Sequence, residues 1–182
     1  MVLLSDCQSR VLTLTLNRPE RLNAIDAGMA RALLFALDGA QRSHEVKVVV
    51  LRGNGRAFCA GRDVTEAPTP EILDLVQRVS CAIVECSKPV VVAVQGWAVG
   101  TGVERLLDAD AVVAARGARF KLPEAGIGVF VTGGVTATMP AIEQRHHGAD
   151  AQRSVTLQRV RELPRVAVTA ATAYAKPPRS RV

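Results

Sequence analysis

The chain has 182 residues, of which 48% are hydrophobic and 22% are charged, and its net charge is +6. A chain of this length and composition folds as a globular domain with a sizeable core, which excludes disorder throughout. No apolar run approaches the roughly 18 residues that cross a bilayer, and the start lacks the basic and long apolar regions of a secretory signal. We therefore expect a cytoplasmic protein without a membrane partner.

The excess positive charge is confined to the end of the chain. Residues 1–143 hold 15 Lys+Arg and 15 Asp+Glu, whereas residues 144–182 hold 8 and 2. We expect residues 1–143 to form the core domain and residues 144–182 to form a divergent, poorly ordered basic tail. Because the body is neutral and only 3% of residues are aromatic, nucleic-acid binding is not indicated.

The cysteines and histidines do not form a metal-binding pattern. No Cys-x-x-Cys spacing occurs among Cys7, Cys59, Cys81 and Cys86, and three of the four lie in apolar or mixed contexts suited to reduced, packed thiols. The adjacent His146 and His147 would point about 100° apart on a helix, which disfavours a shared metal ion. The sequence predicts no metal site.

Apolar periodicity predicts alternating strands and helices. Residues 11–16 alternate apolar and polar side chains, as in a half-buried strand, and a turn follows at residues 17–19. Asp26 can cap a helix with one apolar face: Met29, Leu33, Leu34 and Leu37. Residues 46–51 are almost continuously apolar, which predicts a strand that is covered on both faces.

The second half of the predicted core repeats this alternation. A loop of small residues at 56–63 follows the strand, where ligands usually bind in α/β folds. Thr69 and Pro70 begin a helix whose apolar residues recur at helical spacing: Ile72, Leu75, Val76, Val79 and Ile83. Residues 89–94 and 111–115 predict two further strands.

The stretch from Gly96 to Glu104 predicts a glycine-rich turn that opens a helix. N–H groups at a helix start stabilise negative charge, although such a turn alone is more often tight packing than a site. Glu124 follows 20 residues after Glu104. Two loops that each offer an N–H, with two carboxylates, suit chemistry at a carbonyl whose oxygen gains negative charge. Alternatively, the two glutamates are solvated helix-start residues.

Four segments, in this order and spacing, resemble the enoyl-CoA hydratase/isomerase (crotonase) superfamily: residues 17–24, 58–63, 96–104, and 120–124 with Gly126 and Gly128. The resemblance covers roughly residues 8–142. It implies an α/β fold, a crotonase-like spiral of ββα units, and an oxyanion hole for an acyl-CoA thioester substrate. No separate cofactor is implied, because coenzyme A is part of the substrate.

By position, the resemblance implies an oxyanion hole made by the backbone N–H groups of Ala60 and Thr101, with Glu104 and Glu124 as catalytic residues. Thr101 stands where a glycine is usual, and its N–H can serve only if its φ is negative. The implied substrate-binding residues are Ala60, Gly61, Arg62, Asp63, Arg21 and Gly100. Arg21, Arg56 and Arg62 are candidates to face the phosphates of coenzyme A.

Because both glutamates are present, the sequence favours an enoyl-CoA hydratase, a lyase of fatty acid metabolism that adds water across the 2,3 double bond. One alternative is an enoyl-CoA isomerase that needs only Glu124, and another is an incompetent homologue that binds thioesters or a protein partner. Family members continue beyond the matching part as helices that close the site and build trimers or hexamers. We expect this helical region to be missing here, which puts the family oligomer in question.

Overall fold

The structure is a computed structural model and describes residues 1–127. The expected domain boundary at residue 143, the basic tail, the missing helical region and the two adjacent histidines lie outside these residues. The described strands are β1 (Leu3–Gln8), β2 (Val11–Leu16), β3 (Val48–Gly53), β4 (Val90–Val94), β5 (Trp97–Val99), β6 (Ala111–Ala114) and β7 (Arg119–Lys121). The helices are α1 (Ala27–Arg42), α2 (Pro70–Glu85) and α3 (Thr101–Asp108), with 3₁₀ turns at Pro19–Arg21 and Glu124–Ile127.

The main sheet has the strand order β1-β2-β3-β4-β6. Only β1 is antiparallel to its neighbour, and the other four strands run parallel. Helices α1, α2 and α3 form the crossovers that parallel strands require. A second, two-stranded parallel sheet pairs β5 with β7. The predicted α/β class is therefore confirmed.

The core forms where the predicted apolar faces meet. Alternate residues of β2 are buried (Leu12, Leu14 and Leu16), and so are residues at helical spacing on α1 and α2: Met29, Leu33, Leu37, Leu75, Val79 and Ile83. Leu34, which was expected on the same face of α1, is only half-buried. The helical faces are therefore slightly narrower than the sequence pattern predicts.

Both long helices begin where their capping residues predict. The Asp26 Oδ1 atom accepts a hydrogen bond from the Met29 N–H at 2.7 Å, and the Thr69 Oγ1 atom accepts one from the Ile72 N–H at 3.4 Å. Each cap satisfies an N–H that has no partner inside the helix, which stabilises a helix by about 1 kcal/mol. Pro70 occupies the start of α2, where its missing N–H costs nothing.

Three strands were not predicted: β1, β5 and β7. β1 exposes five of its six residues, so it has no apolar pattern and depends on pairing with β2. β5 is only three residues long and lies in the stretch interpreted as a glycine-rich turn, because β7 supplies its partner from outside that stretch. Among the helices of residues 1–127, none has the length and apolar character needed to cross a membrane.

Candidate active site

Four loop segments that are far apart in sequence meet beyond the carboxyl ends of β3 and β4. They are the segments around residues 22–25, 57–63, 96–101 and 119–124. Backbone hydrogen bonds from N–H to C=O join them in the pairs Ile25–Gly61 (2.8 Å), Val99–Cys59 (2.9 Å), Arg119–Gly96 (2.7 Å) and Gly100–Lys121 (2.8 Å). The structure thus brings together the four segments that the sequence singled out.

The first of these segments supports the second. Asn23 is fully buried, and its Nδ2 donates to the backbone oxygens of Asn54 at 2.8 Å and Ala57 at 2.9 Å. Its Oδ1 accepts from the Arg18 N–H at 2.9 Å. A buried amide that makes three hydrogen bonds to backbone groups holds those groups in place. Asn23 therefore fixes the start of the 57–63 loop.

The backbone N–H of Ala60 does not fit the role that the family resemblance implies for it. It donates to the Leu22 carbonyl oxygen at 2.9 Å, so its hydrogen is already used. The next candidate is the N–H of Arg62. Ile25 bonds the Gly61 C=O and the Asp63 N–H at 2.8 Å each, so the amide of Arg62 faces away from Ile25, and it donates to no acceptor within residues 1–127.

Thr101 meets the condition set for it. It is the first residue of α3, and its φ is not positive. The positive φ, 50°, belongs to the preceding Gly100. The Thr101 N–H has no backbone acceptor among residues 1–127. A Cβ built on Gly61 would lie 3.7 Å from the Thr101 nitrogen. The Thr101 N–H at the start of α3 therefore lies close to the Gly61–Arg62 peptide, and neither it nor the Arg62 N–H has an acceptor within residues 1–127.

The two glutamates both approach Gly100. A Cβ on Gly100 would lie 2.7 Å from the Glu124 Oε1 atom, and Glu124 Oε2 is buried with no hydrogen-bond partner among residues 1–127. Glu104 is 1% exposed, and its N–H donates to the Gly100 carbonyl oxygen at 3.1 Å. The alternative that both are solvated helix-start residues therefore does not fit the structure.

Asp63 serves the loop itself. Its carboxylate accepts from the Thr65 Oγ1 at 2.7 Å, the Thr65 N–H at 3.0 Å and the Arg18 Nη2 at 2.9 Å. The two Thr65 hydrogen bonds, followed by that of Arg18, lower the pKa of Asp63 from 3.8 to about 2 against the opposing effect of burial. These contacts are all within the chain, so Asp63 anchors the loop.

Replacing Asp63 by asparagine is expected to lower the free energy of unfolding at pH 7 by about 1.5–3 kcal/mol, the range for hydrogen bonds to a charged group. A depressed pKa stabilises the fold fully above the unfolded value of 3.8, and this stabilisation is lost as the pH falls toward about 2. The difference between wild type and Asp63→Asn should therefore narrow below pH 4 in denaturant titrations. A gap that stays constant from pH 7 to pH 3 would contradict this assignment.

The predicted arginines have different positions. The Arg62 Nη1 atom donates to the backbone oxygens of Asp63 at 3.0 Å and Glu66 at 2.9 Å, so its side chain braces the loop. Arg21 and Arg56 are exposed. They are thus the two predicted arginines that the structure leaves accessible to a charged ligand.

Cys59 borders the site as a packed thiol. Burial raises its pKa to about 11, and its Sγ accepts from the Gly61 N–H at 3.4 Å. A thiol that stays protonated at neutral pH is not a nucleophile. Within residues 1–127, histidines, cysteines and acidic residues do not gather in groups of three or more that could hold a metal ion.

The sequence analysis missed a buried ionic cluster next to Glu104. The Arg105 Nη2 atom lies 3.3 Å from Glu104 Oε2, and its Nη1 atom lies 3.3 Å from Asp108 Oδ2. Arg105 and Asp108 stand three residues apart among apolar neighbours of a helix that packs into the core. That pattern was the available signal, because isolated charges are rarely buried unless they are paired.

Within residues 1–127, two neighbouring amides without an acceptor, one of them at a helix start, lie near the buried Glu104 and the half-buried Glu124, an arrangement that suits a substrate whose carbonyl oxygen gains negative charge. The family model described as enoyl-CoA hydratase/isomerase matches residues 6–157. The chain belongs to the enoyl-CoA hydratase/isomerase family, and its fold is the crotonase fold.

Relatives with different reactions are similar to this chain. 1,2-Epoxyphenylacetyl-CoA isomerase of Escherichia coli (strain K12) is 35% identical, and the match covers 79% of this chain and 58% of the isomerase. 2,3-Dehydroadipyl-CoA hydratase of the same organism is 37% identical, and the match covers 71% of this chain and 52% of the hydratase. The crystal structure of an enoyl-CoA hydratase from Mycobacterium avium subsp. paratuberculosis K-10 matches with a TM-score of 0.72 and 34% identity. The match covers 78% of this chain and 55% of that protein. The chain spans little more than half the length of these relatives.

Proposed function

We propose that this chain is an enoyl-CoA hydratase that adds water across the 2,3 double bond of an acyl-CoA thioester. The observation that carries the proposal is the arrangement around Gly100, which both Glu104 and Glu124 approach, next to two N–H groups, of Arg62 and Thr101, that have no acceptor within residues 1–127. The hydratases among the relatives support the same reaction class.

The two amides supply the oxyanion hole. The thioester oxygen accepts hydrogen bonds from the N–H groups of Arg62 and Thr101, and these bonds strengthen as the oxygen gains enolate character. Because the donors are held by the backbone and do not reorganise, each is worth about 3–4 kcal/mol of transition-state stabilisation. The N-terminal end of α3 adds a positive partial charge at the same point.

The two carboxylates handle the protons. Together, Glu104 and Glu124 orient a water molecule for attack on the β-carbon, accept its proton and return a proton to the α-carbon. The Oε2 atom of Glu124 is buried and has no donor within residues 1–127, which supports this role because such an oxygen is a ready acceptor. Coenzyme A enters as part of the substrate, with Arg21 and Arg56 as candidate contacts for its phosphates.

The proposal is tested by incubating the purified chain with short and long 2-enoyl-CoA thioesters and following the loss of the conjugated absorbance. We expect turnover to a 3-hydroxyacyl-CoA, with 3-enoyl-CoA converted more slowly. Glu104→Gln should reduce hydration far more than isomerisation, because the second carboxylate is needed to activate water. Binding of thioester without turnover would contradict the proposal and favour a thioester-binding homologue.

An enoyl-CoA isomerase is the second candidate. The Escherichia coli isomerase named above is 35% identical to this chain, and a single carboxylate beside an oxyanion hole suffices to move a proton between two carbons. Isomerase activity that survives Glu104→Gln, with no hydration by the wild type, would replace the first proposal by this one.

A further inference from the structure

Helix α3 carries three buried charged side chains, of which Arg105 contacts both Glu104 and Asp108. The side chains of Arg105 and Asp108 have no exposed surface, and that of Glu104 is 1% exposed. Arg105 uses one terminal nitrogen for each carboxylate, at 3.3 Å from Glu104 Oε2 and from Asp108 Oδ2. Its guanidinium therefore bridges Glu104 to a residue one turn further along the helix.

Backbone oxygens hold the same guanidinium from two elements. The Arg105 Nε donates to the Thr101 carbonyl oxygen at 3.4 Å, and Nη2 donates to the Val76 carbonyl oxygen of α2 at 3.4 Å. Neighbouring residues on a helix point about 100° apart, so Arg105 and Glu104 meet only if both side chains turn toward each other. The contacts from α2 and α3 keep the arginine in that turned position.

Stability alone does not account for this cluster. Removing charges from water is expensive, and replacing a buried ion pair by well-packed apolar residues is often neutral or stabilising. Apolar side chains at 105 and 108 would extend the core formed by Val103 and Leu106. The charged cluster lies directly against one of the two glutamates of the proposed site, which indicates a role at that glutamate.

We propose that Arg105 is a positioning residue that holds the carboxylate of Glu104 in a single orientation, and that Asp108 holds Arg105 in turn. The inference rests on the proposed function, in which Glu104 orients water. Since a planar guanidinium donates in fixed directions, its contact with Oε2 restricts the rotamer of Glu104. A displacement of about 1 Å in such a group lowers turnover by up to about 100-fold.

The test must separate positioning from folding. Arg105→Leu alone would leave two buried carboxylates without their cation, so the informative variant is Arg105→Leu/Asp108→Leu, which removes the ion pair and fills the space with apolar side chains. Arg105→Met/Asp108→Leu serves if that variant does not fold. Asp38→Ala/Arg42→Ala removes an exposed ion pair of α1 and is the matched control.

We expect the double variant to keep its melting temperature and KM while kcat falls about 10- to 100-fold. In a Glu104→Gln background, the same double change should have no further effect, because no carboxylate is left to position. The control should match wild type. An unchanged kcat, or an equal fall in both backgrounds, would overturn the inference.

A second readout does not depend on activity. Crystal structures of wild type and the double variant should show the Glu104 carboxylate displaced, or in more than one conformer, once Arg105 is gone. A wild type that turns over no thioester would overturn the proposed function alone, and this structural comparison would then decide the role of Arg105. An unmoved, single conformer of Glu104 in the variant would refute it.

Discussion

Glu124→Gln is expected to lower kcat for 2-enoyl-CoA hydration by about 10²- to 10⁴-fold, the range for loss of a general acid or base. Glutamine has the same shape but cannot accept or deliver the proton. Because Glu124 Oε2 has no hydrogen-bond partner within residues 1–127, the substitution breaks no described bond at that atom. The melting temperature and thioester binding should therefore change little, and kcat measured under saturating substrate checks the prediction.

The matched control is Glu45→Gln. Glu45 is exposed and lies between α1 and β3, at the opposite end of the sheet from the site. This variant has the same change in charge and should keep the wild-type kcat. If Glu124→Gln retains more than half of the wild-type kcat, or if both variants lose activity equally, Glu124 does not carry the proton transfer.

Arg62→Pro is expected to lower kcat by about 10²- to 10³-fold, the cost of losing one oxyanion-hole donor. Proline has no backbone N–H, so it removes the one amide of the 57–63 loop that we assign to the thioester oxygen. Arg62→Ala removes the same side chain but keeps the amide. Comparing kcat for the two variants thus isolates the backbone donor from the guanidinium.

Thermal melts of both Arg62 variants distinguish loss of a donor from loss of the loop. Each variant loses the side-chain bonds to the Asp63 and Glu66 carbonyl oxygens, so any destabilisation from that source is shared. Arg62→Ala should keep kcat within a few-fold of wild type. Equal activity of the proline and alanine variants, with both folded, would show that this amide does not contact the reacting oxygen.

Local patterns were sufficient for much of the fold. The alternation in β2 and the apolar faces and caps of α1 and α2 depend on neighbours within a few residues, and they are confirmed. β1 and β5 could not be predicted from their own residues, since β1 has no apolar pattern and depends on pairing with the adjacent β2, and the three residues of β5 pair with β7 from another segment. The order and spacing of four short motifs were enough to indicate the family.

The sequence by itself indicated which segments meet at the candidate site and which carboxylates are candidates for it, because residue identity and motif order can be read directly from the sequence. Only the tertiary structure decided which amides lack an acceptor within residues 1–127. The Ala60 N–H donates to the Leu22 carbonyl oxygen, whereas the pairing of Ile25 with Gly61 and Asp63 leaves the Arg62 N–H without an acceptor within residues 1–127. The Thr101 N–H can serve as a donor because the positive φ falls on Gly100 and not on Thr101. Every residue other than proline carries an identical N–H, so its availability depends on long-range pairing that no local pattern encodes.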